Sequence, residues 1–395
     1  MNTYIIGGYN TKFGRLDDHN LYTLYEEAAK GAILDAQIET KDIDAVFIGN
    51  YSGGSFNNQE HLAPYGVNIM PELRHKPMYR LENACASGAS AAHMAVMAIG
   101  SGMINTALVV GIEKMNSLDT KDVTKALAKA SYWQKEGSQN YTFPGLFAEF
   151  AKGWMKKYDV NEETLRTTLA HISAKAYNFG AENPLAHIQK LRSPEEILNL
   201  PEEKNPMVAY PLRLHDCSLI SDGAAAMVIT NKKMVKNSDK AVEIAAIDEA
   251  ADYLDIVNSK KSNHFLEGAS VACERALQKA GMSINDIQVA EVHDCFTITE
   301  LLSYSAIGLC SPGREMDIVA SNEVSKGGRL VVNPSGGLKS KGHPVGATGA
   351  SMHVMVYKQL CGEAIGYQVN NATNGLILNI GGSGASNIVS ILKKA

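Results

Sequence analysis

Residues 32–46 read AILDAQIETKDIDAV, and residues 276–290 read ALQKAGMSINDIQVA. In both stretches a helical run is followed by a short polar connection and then by an apolar, strand-like run. Each stretch is preceded by its own opening strand, at residues 4–7 and 242–247. Strands that alternate with helices predict α/β layers, and a repeated half predicts two similar lobes packed together.

A second pair of segments supports this duplication. Residues 87–90 (SGAS) match residues 348–351 (TGAS), and each is followed by a helical run and an apolar strand. We therefore predict two α/β halves, residues 1–238 and 239–395. A region at about 116–215 is richer in Lys, Glu, Asn and Tyr, and we interpret it as an insertion from the first half that covers the site.

Composition excludes several classes of protein. The 395 residues are 45% hydrophobic and 20% charged with a formal net charge of −5, which does not suggest nucleic-acid binding. The six cysteines are scattered without metal or disulfide spacing, which favours a reducing compartment, the cytoplasm. We see no secretory or peroxisomal signal and no apolar run long enough for a membrane span.

The first chemical motif is residues 82–93, ENACASGASAAH. Cys85 lies between a strand-like segment and an alanine-rich helical run. At such a turn we expect the helix N-terminus to lower the thiol pKa and to offer backbone N–H groups to an anion. The small neighbours leave room for a substrate carbonyl. Buried cysteines are commonly inert packing residues, so the other motifs are needed to favour a nucleophile.

Two further motifs carry histidines. Residues 333–350, NPSGGLKSKGHPVGATGA, form a glycine-rich loop with His343 at its centre, where it could accept a proton from a thiol. Residues 291–297, EVHDCFT, follow a strand and so lie where α/β sheets gather their catalytic groups. His293 could donate to a carbonyl oxygen and Cys295 could move a proton. A fourth segment, residues 379–384 (NIGGSG), could turn backbone N–H groups towards a reacting oxygen.

Together these motifs resemble the thiolases, and the HDCF string at 293–296 resembles the sterol-carrier-protein type and its bacterial and archaeal relatives. The resemblance implies a thiolase-like five-layer αβαβα fold, a homodimer or homotetramer, and acyl transfer between a cysteine and coenzyme A with carbon–carbon bond making or breaking. Coenzyme A and acyl-CoA would be substrates, with no permanently bound cofactor and no metal. A small acyl-CoA-binding protein is an additional partner of such relatives.

The resemblance also implies residue roles. Cys85 would be the acyl-accepting nucleophile, His343 its base, His293 a donor in the first oxyanion hole and Cys295 the acid and base. The backbone N–H groups of Cys85 and Gly381 would form the second oxyanion hole. One departure is Asn379, where many thiolases have a catalytic cysteine, and Cys295 would substitute for it. We also predict that Phe143, Leu146 and Asn379 line the substrate pocket.

Other readings stay open from the sequence. The chain could transfer an acyl group to a non-thioester carbon acceptor, or it could be a thiolase-like scaffold subunit of a multienzyme complex. We expect structural roles for the other four cysteines and for three further histidines, with Cys273, Cys310 and Cys361 in helical, apolar settings. The run 231–236 (NKKMVK) is interpreted as a solvated face. Further residues expected to be structural are His93, His215, Asp216, Cys217 and His353.

Overall fold

The computed structural model describes residues 2–231, 240–257 and 260–395. The predicted boundary between the halves at residue 238 and most of the lysine-rich run 231–236 lie outside these ranges. The strands are β1 (Thr3–Asn10), β2 (Ala45–Gly49), β3 (Met78–Leu81), β4 (Thr106–Glu113), β5 (Met207–Ala209), β6 (Leu212–Arg213), β7 (Gly223–Asn231), β8 (Val242–Ala251), β9 (Val289–Val292), β10 (Val331–Val332), β11 (Asn374–Gly381) and β12 (Ser386–Lys394). The α-helices are α1 (Leu21–Asp35), α2 (Gly53–Asn57), α3 (Tyr65–Ile69), α4 (Ser87–Gly100), α5 (Thr120–Ala128), α6 (Phe143–Tyr158), α7 (Glu162–Gly180), α8 (Pro194–Leu198), α9 (Glu267–Ala280), α10 (Thr297–Ala306), α11 (Glu315–Ser321) and α12 (Thr348–Cys361).

The strand order shows the duplication directly. Ten strands lie in the order β10-β9-β11-β12-β8-β1-β7-β4-β2-β3. From the centre outwards, the first half has the order β1, β7, β4, β2, β3, and the second half has the order β8, β12, β11, β9, β10. In both halves these are the first, fifth, fourth, second and third sheet strands along the chain. The halves meet where β1 pairs antiparallel with β8. The predicted α/β architecture from two similar halves is therefore confirmed.

Two helices lie between the halves and complete the layers. α4 packs on β4 and β2, and α12 packs on strands of both halves and on α4. α1 covers the outer face of the first half, and α9 covers β8 and β12 of the second. Alternate residues of the strands face opposite sides, so each strand layer buries apolar side chains on both faces. The result is the predicted five-layer αβαβα arrangement.

The repeated SGAS and TGAS segments are the contact between the two central helices. A Cβ added to Gly88 would lie 2.6 Å from the backbone nitrogen of Ala350, and one added to Gly349 would lie 2.2 Å from that of Ala89. No side chain fits at either position, because the two backbones touch. This contact brings together the turns that precede α4 and α12, and those turns contain Cys85 and His343.

The segment between β4 and β7 contains α5 to α8 and a small hairpin of β5 and β6. It contributes no strand to the ten-stranded sheet, and all of its residues are described. This is the region that we predicted as a covering insertion, and its exact domain boundaries stay a prediction. Within the described part of the chain, every helix is too short or too polar to cross a lipid bilayer.

The helix contact makes a stability prediction. Gly88→Ala should lower the free energy of unfolding by about 1–3 kcal/mol, because the added methyl group overpacks a backbone contact. Gly100→Ala is the matched control, since it lies in the same helix and an added Cβ would meet nothing within 4 Å. Urea denaturation followed by circular dichroism measures both. Equal effects of the two substitutions would show that the contact is not tight.

Candidate active site

Cys85 lies in the predicted turn between β3 and α4. The residue before it, Ala84, has a left-handed backbone with φ of 49°. The Ala84 carbonyl accepts hydrogen bonds from the backbone N–H of Ser87 at 3.2 Å and from its hydroxyl at 2.6 Å. A left-handed alanine costs energy, so these bonds hold the turn that presents Cys85 at the wall of a cavity.

His343 contacts the thiol directly. Its Nε2 lies 3.3 Å from the Cys85 Sγ, and its Nδ1 lies 2.7 Å from the Thr348 hydroxyl oxygen. That hydroxyl donates to the Pro344 carbonyl at 2.9 Å, so its oxygen accepts the hydrogen on Nδ1. The imidazole nitrogen that faces the sulfur is therefore unprotonated. This is the arrangement a base needs in order to accept the thiol proton.

The resting pair is uncharged. Burial raises the pKa of the Cys85 thiol to about 12, although the backbone N–H of Gly382 opposes this effect. Burial, followed by the Lys341 charge, lowers the pKa of His343 to about 3. The expectation that the helix N-terminus lowers the thiol pKa was wrong for the resting enzyme, because burial outweighs the amide contacts. Attack by this sulfur is therefore aided by a base, and Nε2 of His343 is placed to accept the thiol proton as the new bond forms.

His293 enters the site from the end of β9. Its ring lies edge-on to that of His343, with centroids 5.2 Å apart. Its Nδ1 lies 3.1 Å from the side-chain nitrogen of Asn379, which also donates to the Cys85 carbonyl at 3.2 Å. Its Nε2 is buried and has no hydrogen-bond partner among the described residues. Burial, followed by the His343 charge, holds the pKa of His293 well below its usual value, so the ring is neutral.

Cys295 lies on the wall of the same cavity. The Sγ lies 3.8 Å from the Thr299 hydroxyl, and the residue is 5% exposed. Burial, followed by the nearby Cys85, raises the pKa of this thiol well above its usual value. Cys295 is therefore protonated at rest and can supply a proton before it removes one. The four side chains predicted as catalytic thus converge on one site.

The cavity beside Cys85 has a volume of about 240 Å³ and mostly apolar walls. Phe143 lines it as predicted, and so does Phe147. Leu146 and Asn379 are not on the wall, so their prediction as pocket residues was wrong: Leu146 points into the core, and Asn379 lies behind Cys85 and His293. The other residues that line the cavity include Tyr51, Met115, Leu127, Cys217, Leu219, Phe296, Val345 and Gly382.

The Gly381–Gly382 turn closes the cavity beside the sulfur. Gly382 is on the wall, and its N–H is the amide that contacts the Cys85 sulfur. Gly381 precedes it at the end of β11, and a Cβ added there would lie 2.3 Å from the Asn83 carbonyl oxygen. A side chain at position 381 would therefore push the turn away from Cys85.

Two buried carboxylates hold the loops of the site: Asp294, which the sequence suggested as a residue that orients its neighbours, and Glu113, which the sequence analysis missed. Asp294 accepts backbone N–H groups of Leu338 at 2.6 Å and Lys339 at 3.3 Å, which anchors the loop before His343. Burial, followed by the charge of Glu300, raises the pKa of Asp294. Its place between His293 and Cys295 was visible in the sequence, but its backbone partners were not.

Glu113 performs the same task on the other side of the loop. It accepts backbone N–H groups from Tyr51 at 2.8 Å and from Gly346 at 3.0 Å. Burial raises the pKa of this carboxyl to about 7. Glu113 ends β4, and its position at a strand end was the available signal.

The residues set aside in the sequence have structural contacts. Both ring nitrogens of His353 are hydrogen-bonded, to the Gly349 carbonyl and to Ser390. His215 pairs with the Tyr177 hydroxyl at 2.7 Å. Cys273 and Cys361 lie in helices, whereas Cys310 lies in the bend after α10, so its prediction as helical was wrong. His93 lies 3.4 Å from the Glu249 carboxylate.

The site also contains a group with the chemistry of a metal ligand set. The sulfur of Cys85 and one ring nitrogen each of His293 and His343 lie within 4.8 Å of one another, and all three residues are buried. Thiolate and imidazole are the ligands that zinc prefers.

Comparison with known proteins identifies the family. Residues 3–198 match the family model described as the N-terminal domain of thiolase, and residues 249–394 match the model described as thiolase C-terminal domain-like. An acetyl-CoA acetyltransferase of Methanothermobacter thermautotrophicus is 36% identical over 391 residues, which is 99% of each chain. The chain belongs to the thiolase family. It is an acyltransferase, as the sequence motifs predicted.

Further relatives and solved structures are similar to this thiolase over nearly its whole length. Human sterol carrier protein 2 is 33% identical over 397 residues, which is 97% of this chain and 70% of that protein. Two solved structures share the fold. The Ltp2-ChsH2(DUF35) aldolase has a TM-score of 0.84 and 19% identity, and the match covers 100% of this chain and 98% of that chain. Human mitochondrial 3-ketoacyl-CoA thiolase in complex with CoA has a TM-score of 0.73, 18% identity, and the same coverage.

The neutral pair in this thiolase makes a pH prediction. If the neutral His343 removes the thiol proton as the sulfur attacks, its protonation state does not change between about pH 5 and 9, so alkylation of Cys85 by iodoacetamide should be nearly independent of pH in that range. In His343→Gln the thiol must lose its proton to solvent, so the rate should be slower and should rise roughly tenfold per pH unit. Intact-protein mass spectrometry measures both. A wild-type rate that also rises tenfold per unit would show that His343 is not the base.

Proposed function

We propose that this thiolase catalyses reversible acyl transfer between Cys85 and coenzyme A with formation or thiolytic cleavage of a 3-ketoacyl-CoA, and that its substrate is acetoacetyl-CoA or another short chain. The observation that carries the proposal is the 3.3 Å contact between Sγ and an unprotonated Nε2. Cys295 lies on the wall of the same cavity, and His293 lies beside Cys85 and His343. Such a condensation needs a nucleophile, oxyanion donors and a further acid and base.

The protons balance in the direction of synthesis. Cys85 attacks the carbonyl carbon of an acyl-CoA and gives its proton to His343. The carbon–sulfur bond to coenzyme A breaks, and Cys295 protonates the departing thiolate. The resulting Cys295 thiolate removes a proton from the methyl group of a second acetyl-CoA. The carbanion attacks the acyl-enzyme, and the released Cys85 thiolate recovers its proton from His343.

Two oxyanion sites would stabilise the negative oxygens. The first is formed by the Nε2–H of His293 and, after His343 has accepted the thiol proton, by the Nε2–H of His343. The second is formed by the backbone N–H groups of Cys85 and Gly381, and the same turn brings the Gly382 N–H against the sulfur. Loss of one such donor costs on the order of 10²–10³ in rate.

The preference for short chains has two supports. The two archaeal relatives that are 36% identical to this chain are both named acetyl-CoA acetyltransferase. The cavity beside Cys85 is about 240 Å³, and Tyr51 and Phe147 limit it. Coenzyme A is a substrate in this proposal, and no resident cofactor is invoked.

We also propose partners. β3 lies at an open edge of the sheet, and the exposed Tyr79, Met94 and Met97 lie on β3 and α4, which supports association with a second copy. The name of the Ltp2-ChsH2(DUF35) aldolase includes a DUF35 component, which supports a small protein partner. The six free cysteines favour a reducing compartment such as the cytoplasm.

Thiolysis of acetoacetyl-CoA by free coenzyme A tests the function. We expect loss of substrate with the wild-type protein and none with Cys85→Ser, because the serine hydroxyl is too weak a nucleophile beside a neutral imidazole. If turnover is absent but the mass of Cys85 shows acylation, another carbon acceptor or a missing partner is indicated. Absence of both turnover and acylation would contradict the proposal and favour the scaffold role.

The role of Cys295 has its own test. Cys295→Ala should still become acylated at Cys85, but exchange of the acetyl methyl protons with deuterated water should fall by about 10²–10⁴. Cys217→Ala is the matched control, since it removes another buried cysteine from the wall of the same cavity. Normal proton exchange in Cys295→Ala would assign the acid and base to another group.

A further inference from the structure

The side chain of Asn379 has an orientation that its contacts determine. One of its two terminal atoms lies 3.2 Å from the Cys85 carbonyl oxygen, which can only accept a hydrogen bond. That atom is therefore the nitrogen. The same nitrogen lies 3.1 Å from Nδ1 of His293, so Nδ1 must present its lone pair. A neutral ring with an unprotonated Nδ1 has its hydrogen on Nε2.

The carbonyl of Cys85 disfavours the opposite orientation of the Asn379 amide. Exchange of its oxygen and nitrogen would turn an oxygen towards the carbonyl of Cys85, and two acceptors repel one another. The amide oxygen lies near Gly349 and has no hydrogen-bond partner among the described residues. The residue is fully buried in the central contact between α4 and α12.

The Nε2–H that results is an unusual group. It is buried, it has no partner among the described residues, and it belongs to a ring beside the sulfur of Cys85. An unpaired buried donor is costly unless a ligand satisfies it. A substrate carbonyl oxygen bound next to Cys85 would accept this hydrogen.

The same hydrogen determines whether the site binds a metal ion. Cys85, His293 and His343 supply three ligand atoms within 4.8 Å of one another, with thiolate and imidazole chemistry that suits Zn²⁺. The nitrogen of His343 that faces the site has a free lone pair. His293 can ligate only if the hydrogen leaves Nε2, and a hydrogen moved to Nδ1 would collide with the Asn379 donor.

We propose that Asn379 is a positioning residue that holds His293 in the Nε2–H tautomer, which makes the ring a donor to the substrate oxygen and withholds it from a divalent metal ion. The donor role rests on the proposed acyl transfer, whereas the tautomer and the metal exclusion do not. An amide fulfils this task and a carboxylate would reverse it, because a carboxylate accepts from Nδ1–H and so exposes the Nε2 lone pair. Histidines that ligate zinc are commonly oriented by such a carboxylate.

Asn379→Asp tests the metal arm. We expect it to bind Zn²⁺ about 10–100-fold more tightly than the wild type in isothermal titration, and to lose acyl transfer in metal-free buffer. Asn387→Asp is the matched control: Asn387 is also buried, donates to the Ala250 and Gly384 carbonyls, and lies on the neighbouring strand β12. Equal zinc affinity of the wild type and Asn379→Asp, or an equal gain in Asn387→Asp, would overturn the metal exclusion.

The tautomer is measurable in the wild-type protein without any substrate. In protein labelled with ¹⁵N-histidine, the signals of His293 are identified by their loss in His293→Gln. We expect an unprotonated Nδ1 and a protonated Nε2 at pH 7 and above, since burial holds the pKa of His293 well below its usual value. A hydrogen on Nδ1 would overturn the proposal, even if Asn379→Asp fails to fold. Absence of turnover with the expected tautomer would contradict only the proposed function.

Discussion

The backbone contact between α4 and α12 is the constraint on which the site depends. Gly88 and Gly349 occupy equivalent positions in the two halves, and each leaves no room for a side chain against the other helix. The nucleophile precedes one helix and the histidine precedes the other. Their 3.3 Å separation is therefore a property of the helix crossing, and neither half contains a site by itself.

Buried charges hold the loops to this crossing. Behind the site lie three carboxylates and three lysines with buried side chains: Glu291, Asp294, Glu300, Lys175, Lys339 and Lys341. Glu300 pairs with Lys175 at 2.6 Å, and Lys341 donates to Ser351 at 2.7 Å. Desolvation of such groups costs several kcal/mol each, and their ion pairs and hydrogen bonds offset this cost only when every partner is present. Asp294 and Glu113 use their oxygens on backbone N–H groups, which fixes loops that lack regular hydrogen bonding. The arrangement favours one geometry of the catalytic groups over added stability.

The sequence predicted the fold and the four converging side chains because both follow from local patterns. Repeated helix-to-strand segments specify equivalent lobes, and glycine-rich turns mark where a backbone must bend or approach another. Other features depend on contacts between distant segments. The direction of the Cys85 pKa depends on burial, the faces of Leu146 and Phe147 depend on the exact angle of α6, and Asn379 acquires its role only beside Cys85 and His293. No spacing within one segment could have shown these.

The uncharged state of Cys85 and His343 also affects how readily the Cys85 sulfur is oxidised. Peroxides and most environmental electrophiles attack thiolates, and a thiol that keeps its proton is a poor target for them. A nucleophile with a permanently low pKa would be exposed to oxidation in every idle moment. Here the sulfur of the empty site keeps its proton inside a mostly apolar cavity. The protonated form thus slows oxidation of the sulfur between turnovers.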